Sequence, residues 1–372
     1  MQNRRNYGKV VTFDPPGAHT ALHERKRNEA LARKLAEIKG YEFAGEYREG
    51  LIDQVSDAPD IYFVPHDTII GRSLAQQLGI RSEQDLFGGV VPHDFLKWKA
   101  IVHGLLRRPA KRPLAWCDEF ARGLEELTLP GYTVFSLPDG LVAARELLTL
   151  GELRLKDATA KGGNAQTLAH SMEDVERVLE DAPPNDHRPY VLEVNLNPVT
   201  TLTVGQVRVG ERRISYHGRQ RTTRDNRGAR AYGGSDLFLV AGGWEQLLTQ
   251  STRIPGGTEL AIRQAMAFDA RLVHYPDVLA TRRNYDLAQG YDGRCVFRSG
   301  IIDQSWRIGG CSGVEVAALE AFALRPEIQV LRGSAFTRYG TAEVPAGAIV
   351  HFEGLDDESG PMQVYSYIEE PR

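Results

Sequence analysis

Three short runs of this 372-residue chain combine residue types that chemistry on phosphates needs. In LRLKDATAKGGNAQ, residues 153–166, Lys156 lies on one face of an alternating strand pattern, with Leu153 and Leu155 on the other. The following loop offers Lys161 and the backbone of Gly162 and Gly163. Glycine backbone N–H groups can close around phosphate oxygens, and a lysine adds a mobile cation. A solvated edge-strand lysine followed by a plain hairpin turn accounts for the same letters. In GIIDQSWRIGG, residues 300–310, Asp303 and Ser305 point the same way at a strand end, a pair of hard oxygen donors of the kind Mg²⁺ takes. Arg307 follows two residues later. In PYVLEVNLNPVTT, residues 189–201, Glu193 and Asn195 share one strand face and can present polar groups to a purine edge, or simply to solvent.

A fourth run, between 212 and 230, holds seven arginines. It reads as a long polar loop in which Arg219, Arg221 and Arg224 are candidates to clamp an anionic substrate, because guanidinium forks match carboxylates and phosphates. His66, His93 and His103 read as turn or helix-face residues. The nucleotide loops GxxxxGK[ST] and GxGxxG, and the hydrolase signatures HExxH and GxSxG, are absent.

The elements that must position these residues alternate first and pair later. Strands at 8–13 and 60–70, a helix from His19 to Ile38 and another around 71–79 give a small parallel α/β layer. Asp94 opens a predicted helix carrying Lys97 and Lys99. The Pro- and charge-rich RRPAKRP, 107–113, breaks the chain. A second unit alternates strands and helices around Lys156, with Ser171 and Asp174 forming a helix start. A third is largely antiparallel, with a turn at Gly210, a helix over 258–273, and a hairpin over 279–304. The boundaries read as 1–110, 111–190, 191–333 and a small β appendage over 334–372. If Asp292-Gly293 is a two-residue hairpin turn, Asp303 faces Arg282 and Asn284 faces Ile301. Asp286 then lies roughly 13 Å from Arg282 at about 3.3 Å per residue, unless a bulge near Ser299-Gly300 shifts the register.

Bulk composition sets limits. With 42% hydrophobic and 25% charged residues the chain is an ordinary globular protein, and a formal charge of −4 gives no support to nucleic acid or an anionic membrane as partner. Three cysteines without CxxC spacing fit a reduced, cytoplasmic setting. No apolar run reaches the roughly 20 residues of a membrane helix, and the N-terminus lacks a signal-peptide core.

In order, the lysine strand and glycine loop, the VLEVNL strand, and the acid-x-polar-x-Arg-x-Gly-Gly ending resemble the ATP-grasp superfamily over roughly residues 60–325. The resemblance implies an α/β (α+β) fold: an N-terminal parallel layer, then two α+β subdomains with ATP between them. It implies ATP and Mg²⁺ as cofactors, with Lys156 on the phosphates and Gly162-Gly163 closing over them. Glu193 and Asn195 would mark the adenine strand, and Lys97 or Lys99 with Lys161 would also reach ATP. Asp303 and Ser305, standing where that family commonly has Glu and Asn, would hold the metal, with Asp286 as partner acid by family order and Asn284 as the geometric rival. Arg307 would stabilise the transferring phosphoryl. The implied activity is a carboxylate–amine ligase working through an acylphosphate on small molecules, with a homodimer compatible. An ATP-binding protein without turnover and a biotin-carboxylase-like enzyme are the alternatives.

Overall fold

The structure, a computed structural model, describes residues 8–48, 60–161, 165–251 and 257–369. The N-terminal unit holds β1 (Lys9–Phe13), α1 (Leu22–Lys39), β2 (Glu42–Glu46) and β3 (Ile61–Pro65), followed by β4 (Ile69–Ile70), α2 (Arg72–Gln77) and β5 (Gly89–Val91). Its parallel sheet runs β2-β1-β3, as the alternation of strands and helices predicts. Val10 and Val11 are sealed between the layers, and Leu31 and Leu35 of α1 close one side. Gly40, in the left-handed region, ends α1.

Asp94 does not open a long helix. Residues 94–97 and 99–102 form two separate 3₁₀ turns broken at Trp98, whose backbone is extended. The side-chain amide of Gln304 donates to the carbonyls of Leu96 and Trp98, both at 2.9 Å. This tertiary anchor overrides the local helical preference and pins the lysine-bearing turns against the far sheet.

After the short α3 (Asp118–Ala121), the small unit comprises β6 (Gly131–Val134), α4 (Leu137–Leu147), β7 (Leu153–Asp157), β8 (Gln166–Ala169), α5 (Met172–Asp181) and β9 (Tyr190–Val194), with sheet order β6-β9-β7-β8. Ser136 and Ser171 cap their helices by accepting from the backbone N–H three residues on, each at 3.3 Å. The apolar sheet face, including Leu153, Leu155 and Leu192, packs on both helices. The polar face, with Lys156 and Glu193, turns to β15 and His103.

The large unit contains β10 (Val199–Val209), β11 (Arg212–Arg224), β12 (Arg230–Ala241), α6 (Trp244–Ser251), α7 (Gly257–Ala270), β13 (Leu279–Ala280), β14 (Arg282–Tyr291), β15 (Phe297–Ser305), α8 (Ser312–Leu324), β16 (Val330–Tyr339), β17 (Ile349–Asp356) and β18 (Gly360–Glu369). Eight of these strands form one sheet, ordered β15-β14-β10-β11-β12-β16-β18-β17. Two expectations change here. The arginine-rich run is not a loop but most of a paired hairpin, β11 with β12. The C-terminal strands do not stand apart as an appendage; they extend the sheet that carries the candidate metal site.

Candidate active site

The hairpin β14–β15 decides whether two acids can meet. Its turn spans Asp292 to Val296 rather than two residues, because the Asp292 carboxylate accepts from the N–H groups of Arg294 and Val296 at 2.9 and 3.0 Å. Tyr291 therefore pairs with Phe297, and a register shift between Asp286 and Leu287 sets Asp286 opposite Asp303 and Asn284 opposite Ser305. Asp303 does not face Arg282, and the irregularity lies next to Asp303 rather than near Ser299-Gly300. Asp286, Asp303, Asn284 and Ser305 thus share one sheet face.

The electrostatics of this foursome are unsatisfied in the protein alone. Burial, and next the charge of Asp303, push the Asp286 carboxyl above its ordinary range. Ser305 Oγ is buried without a hydrogen-bond partner. Asn284 donates to Asp286 at 3.0 Å while accepting from Thr203 and Tyr216 at 3.0 and 2.8 Å. A divalent cation would relieve the first strain and satisfy the second. Mg²⁺ needs only one or two carboxylates when phosphates and water supply the rest, so the donor set fits it. Among the described residues no group of three or more His, Cys, Asp or Glu is gathered at one point. Trp306 turns its ring to the opposite side, into the core.

Opposite this face stands the small unit. Lys156, 2% exposed, is paired with Glu193 and lies 3.4 Å from the Ile302 carbonyl of β15. His103 meets Glu193 at 3.0 Å. It fits there because position 131 is glycine; a Cβ at that site would lie 2.8 Å from the imidazole. Burial pushes the Glu193 carboxyl up, but Lys156 and His103 outweigh it and hold the group below its ordinary value. His103 is therefore neither a turn nor a helix-face residue. Its signal in the sequence is faint, a lone histidine between apolar residues.

Lys99 is buried as well, with Nζ 2.5 Å from the Ala160 carbonyl and 3.7 Å from Asp303. Lys97 and Lys161 converge on Asp67 at 3.2 and 3.4 Å, and burial, with Arg307 next, lowers Lys161. Asn195 turns aside, accepting from Arg154 at 2.7 Å and donating to Glu152 at 3.1 Å. Gly162 and Gly163 lie outside the described residues.

Arg307 comes within 3.7 Å of Glu24 and 3.6 Å of Asp67. Burial raises the Asp67 carboxyl, but Arg307, Lys161 and Lys97 more than offset this and leave it lowered. Gly310 lets Tyr232 approach; a Cβ there would stand 2.4 Å from its ring. The substrate candidates among the arginines are displaced. Gly218, not Arg219, shares the Asp286 face, because Thr203 pairs with both Gly218 and Asp286. Arg219 and Arg221 accordingly project from the other side. There Arg221 pairs with Asp236 and stacks on Phe336 at 4.3 Å. Arg224 donates to Gly228 at the hairpin tip. Helix α1 instead brings Glu24 and Arg27 to Arg307, an acid and a cation that an ordinary charged-helix pattern masks in the sequence.

The fold has structural parallels. The N5-carboxyaminoimidazole synthase from Aspergillus clavatus, in complex with ADP and 5-aminoimidazole ribonucleotide, superposes with a TM-score of 0.52 at 10% identity, over 98% of this chain and 94% of that one. The structure of carboxyaminoimidazole ribonucleotide synthase from the same organism with ATP gives the same values. The D-alanine–D-alanine ligase from Bacillus anthracis aligns at 11% identity over 85% of this chain and 93% of its own, with a TM-score of 0.45. The fold is that of the ATP-grasp ligases. No curated protein matches the sequence. Residues 11–366 match the family described as "Protein of unknown function (DUF3182)", and the chain belongs to that family.

Proposed function

We propose that the protein is an ATP- and Mg²⁺-dependent ligase that activates a small carboxylate as an acylphosphate for attack by an amine-like nucleophile. The observation that carries this reading is the placement of Asp286 opposite Asp303, with Lys99 3.7 Å from Asp303 and Lys156 beside the same strand. Such a site has cations to hold phosphates and oxygen donors for a metal side by side along β15.

Asp286, Asp303 and Ser305 would hold Mg²⁺, which when bound neutralises phosphate charge and orients the phosphoryl group. Lys156 and Lys99 would bind the phosphates. Their positions are fixed in advance, by Glu193 and His103 in one case and by the Ala160 carbonyl in the other, so little ordering remains to be done on binding. Arg307 would face the charge developing on the transferring group, oriented by its bond to the Ile308 carbonyl at 3.1 Å. Closure of the small unit on the large sheet would exclude water from the activated acid.

The test is ADP release with Mg-ATP and pooled carboxylates and amines. Turnover that depends on a defined acid–amine pair is the expected result. The shorter side chains Asp303 and Ser305 favour a second reading, nucleotide binding without turnover. Tight Mg-ATP binding with no ADP from any pair would select it.

A further inference from the structure

Two buried arginines near Arg307 have contrasting partners. Arg282 meets Glu315 through hydrogen bonds of 2.8 and 2.9 Å and donates to the Arg307 carbonyl at 2.6 Å. It is a closed ion pair. Arg27, 6% exposed, has no such match. Its Nε and Nη2 both donate to the side-chain oxygen of Asn28, a neutral amide, at 3.1 Å. Its carboxylate neighbour, Glu24, is 4.0 Å away, and the same Glu24 oxygen is shared with Arg307 at 3.7 Å. Charge-assisted bonds from guanidinium to carboxylate run about 2.7–2.9 Å. Among the described residues neither Arg27 nor Arg307 has one.

A buried guanidinium without a bonded counter-ion is costly. Burial lowers Arg27 to about 10 against the pull of Glu24, and Arg307 and Arg282 push the same way. The cost is maintained by a built network. Thr12 donates to Glu46 at 2.6 Å, Glu46 meets His66 at 3.2 Å, and His66 meets the Asn28 amide nitrogen at 3.2 Å. With its nitrogen engaged there, the Asn28 amide must turn its oxygen to Arg27. Two strands, the bend after β3 and a helix thus fix the orientation of one guanidinium. Around it, among the described residues, the ion-pair partners of Arg27, Arg307, Lys97 and Lys161 are Glu24 and Asp67, four cations to two acids.

We propose that Arg27 binds an anionic group of the acceptor substrate, separate from the carboxylate to be phosphorylated, so that the acceptor carries two anionic groups. The second group is a carboxylate or a phosphate. Arg27, on α1, shares Glu24 with Arg307, whereas Lys156 and Lys99 sit against Ile302 and Asp303 of β15, and this separation puts Arg27 with the acceptor rather than with the nucleotide. The inference rests on the ligase reading.

The experiment is thermal melting of the full chain, as wild type, Arg27→Met and Arg27→Lys. Mg²⁺ and a non-hydrolysable ATP analogue are present, with succinate, phosphoglycolate or propionate added at matched ionic strength. Succinate or phosphoglycolate, but not propionate, should raise the melting temperature further in the wild type, and the better of the two identifies the second group. Arg27→Met should keep the nucleotide shift and bind that compound at least tenfold more weakly. If Arg27→Met does not fold, Arg27→Lys, which keeps the charge but loses the fork, must still weaken it. Equal stabilisation by propionate, an unchanged response in the variants, or loss of the nucleotide shift in Arg27→Met would overturn the assignment. No nucleotide shift in the wild type would instead remove the ligase reading, and this inference with it.

Discussion

At the scale of single residues, the candidate site is a set of charges that the protein balances incompletely. Asp286 is the clearest case, because burial and Asp303 both work against its ionised form. Its folded pKa is raised, so the ionised group disfavours folding above that pKa, and ligand-free stability should increase as pH falls far enough to protonate it. Asp286→Asn should therefore melt no lower than the wild type without ligand. It should also bind Mg-nucleotide at least tenfold more weakly, about 1.4 kcal/mol. Calorimetry with and without Mg²⁺ separates the two effects, and a variant that is destabilised yet binds normally would show Asp286 to be structural. Asp303 and Ser305 were readable as a pair because strand alternation alone puts them on one face, whereas Arg307 lies beyond the end of β15 at Ser305 and alternation does not place it. Glu193 was readable as a polar group on a strand face, but not as the partner of Lys156, since that pairing depends on how β7 and β9 lie together.

At the scale of elements, the short motifs needed supports that no local pattern shows. Register was the main obstacle: an Asx-type turn at Asp292 lengthens the hairpin loop and a bulge completes the shift, and both depend on side-chain bonds rather than on turn letters. The Lys97–Lys99 segment looked helical but is held as two 3₁₀ turns by Gln304. Helix α1 has a similar hidden support. Its first N–H groups, of Leu22 and His23, are capped by Asp357 at 3.1 Å and Asp356 at 2.8 Å, from the turn between β17 and β18. The C-terminal hairpin thereby fixes the helix that carries Glu24 and Arg27. Asp356→Ala should cost about 1–2 kcal/mol, the usual price of a lost N-cap, and denaturant titration would measure it. The bonds from His23 and Ser359 outweigh burial and hold the Asp356 carboxyl down to about 2. Its contribution is complete above the ordinary value near 3.9 and is lost as pH falls through about 2. An unchanged midpoint in Asp356→Ala would show that the hairpin does not brace α1.

Over the whole molecule, the class of fold was legible: a parallel N-terminal layer, a small α+β unit and a large antiparallel sheet. The extent of that sheet was not, because strands β16 and β18 join it through pairings distant in sequence. Two histidines buried in this sheet weaken the fold in acid. Burial, and next Arg332, bring His217 down to about 4; burial, and next Arg27, bring His351 to about 4. Between pH 6.5 and 4 the unfolded chain binds these protons and the folded chain does not, so stability falls as pH drops through that window. The loss is on the order of 3 kcal/mol for each group, at about 1.4 kcal/mol per pH unit. Urea titrations at pH 7 and pH 4.5 should show it, with a smaller difference in His217→Gln; equal midpoints would contradict the burial of both rings. The central claim concerns the meeting of Lys156 and Lys99 with the Asp286–Asp303 pair, and ADP release tests it most directly. With Mg-ATP and pooled carboxylates and amines, the wild type should release ADP in a substrate-dependent manner and Lys156→Ala should not. No ADP release and no Mg-ATP binding by the wild type would contradict the assignment.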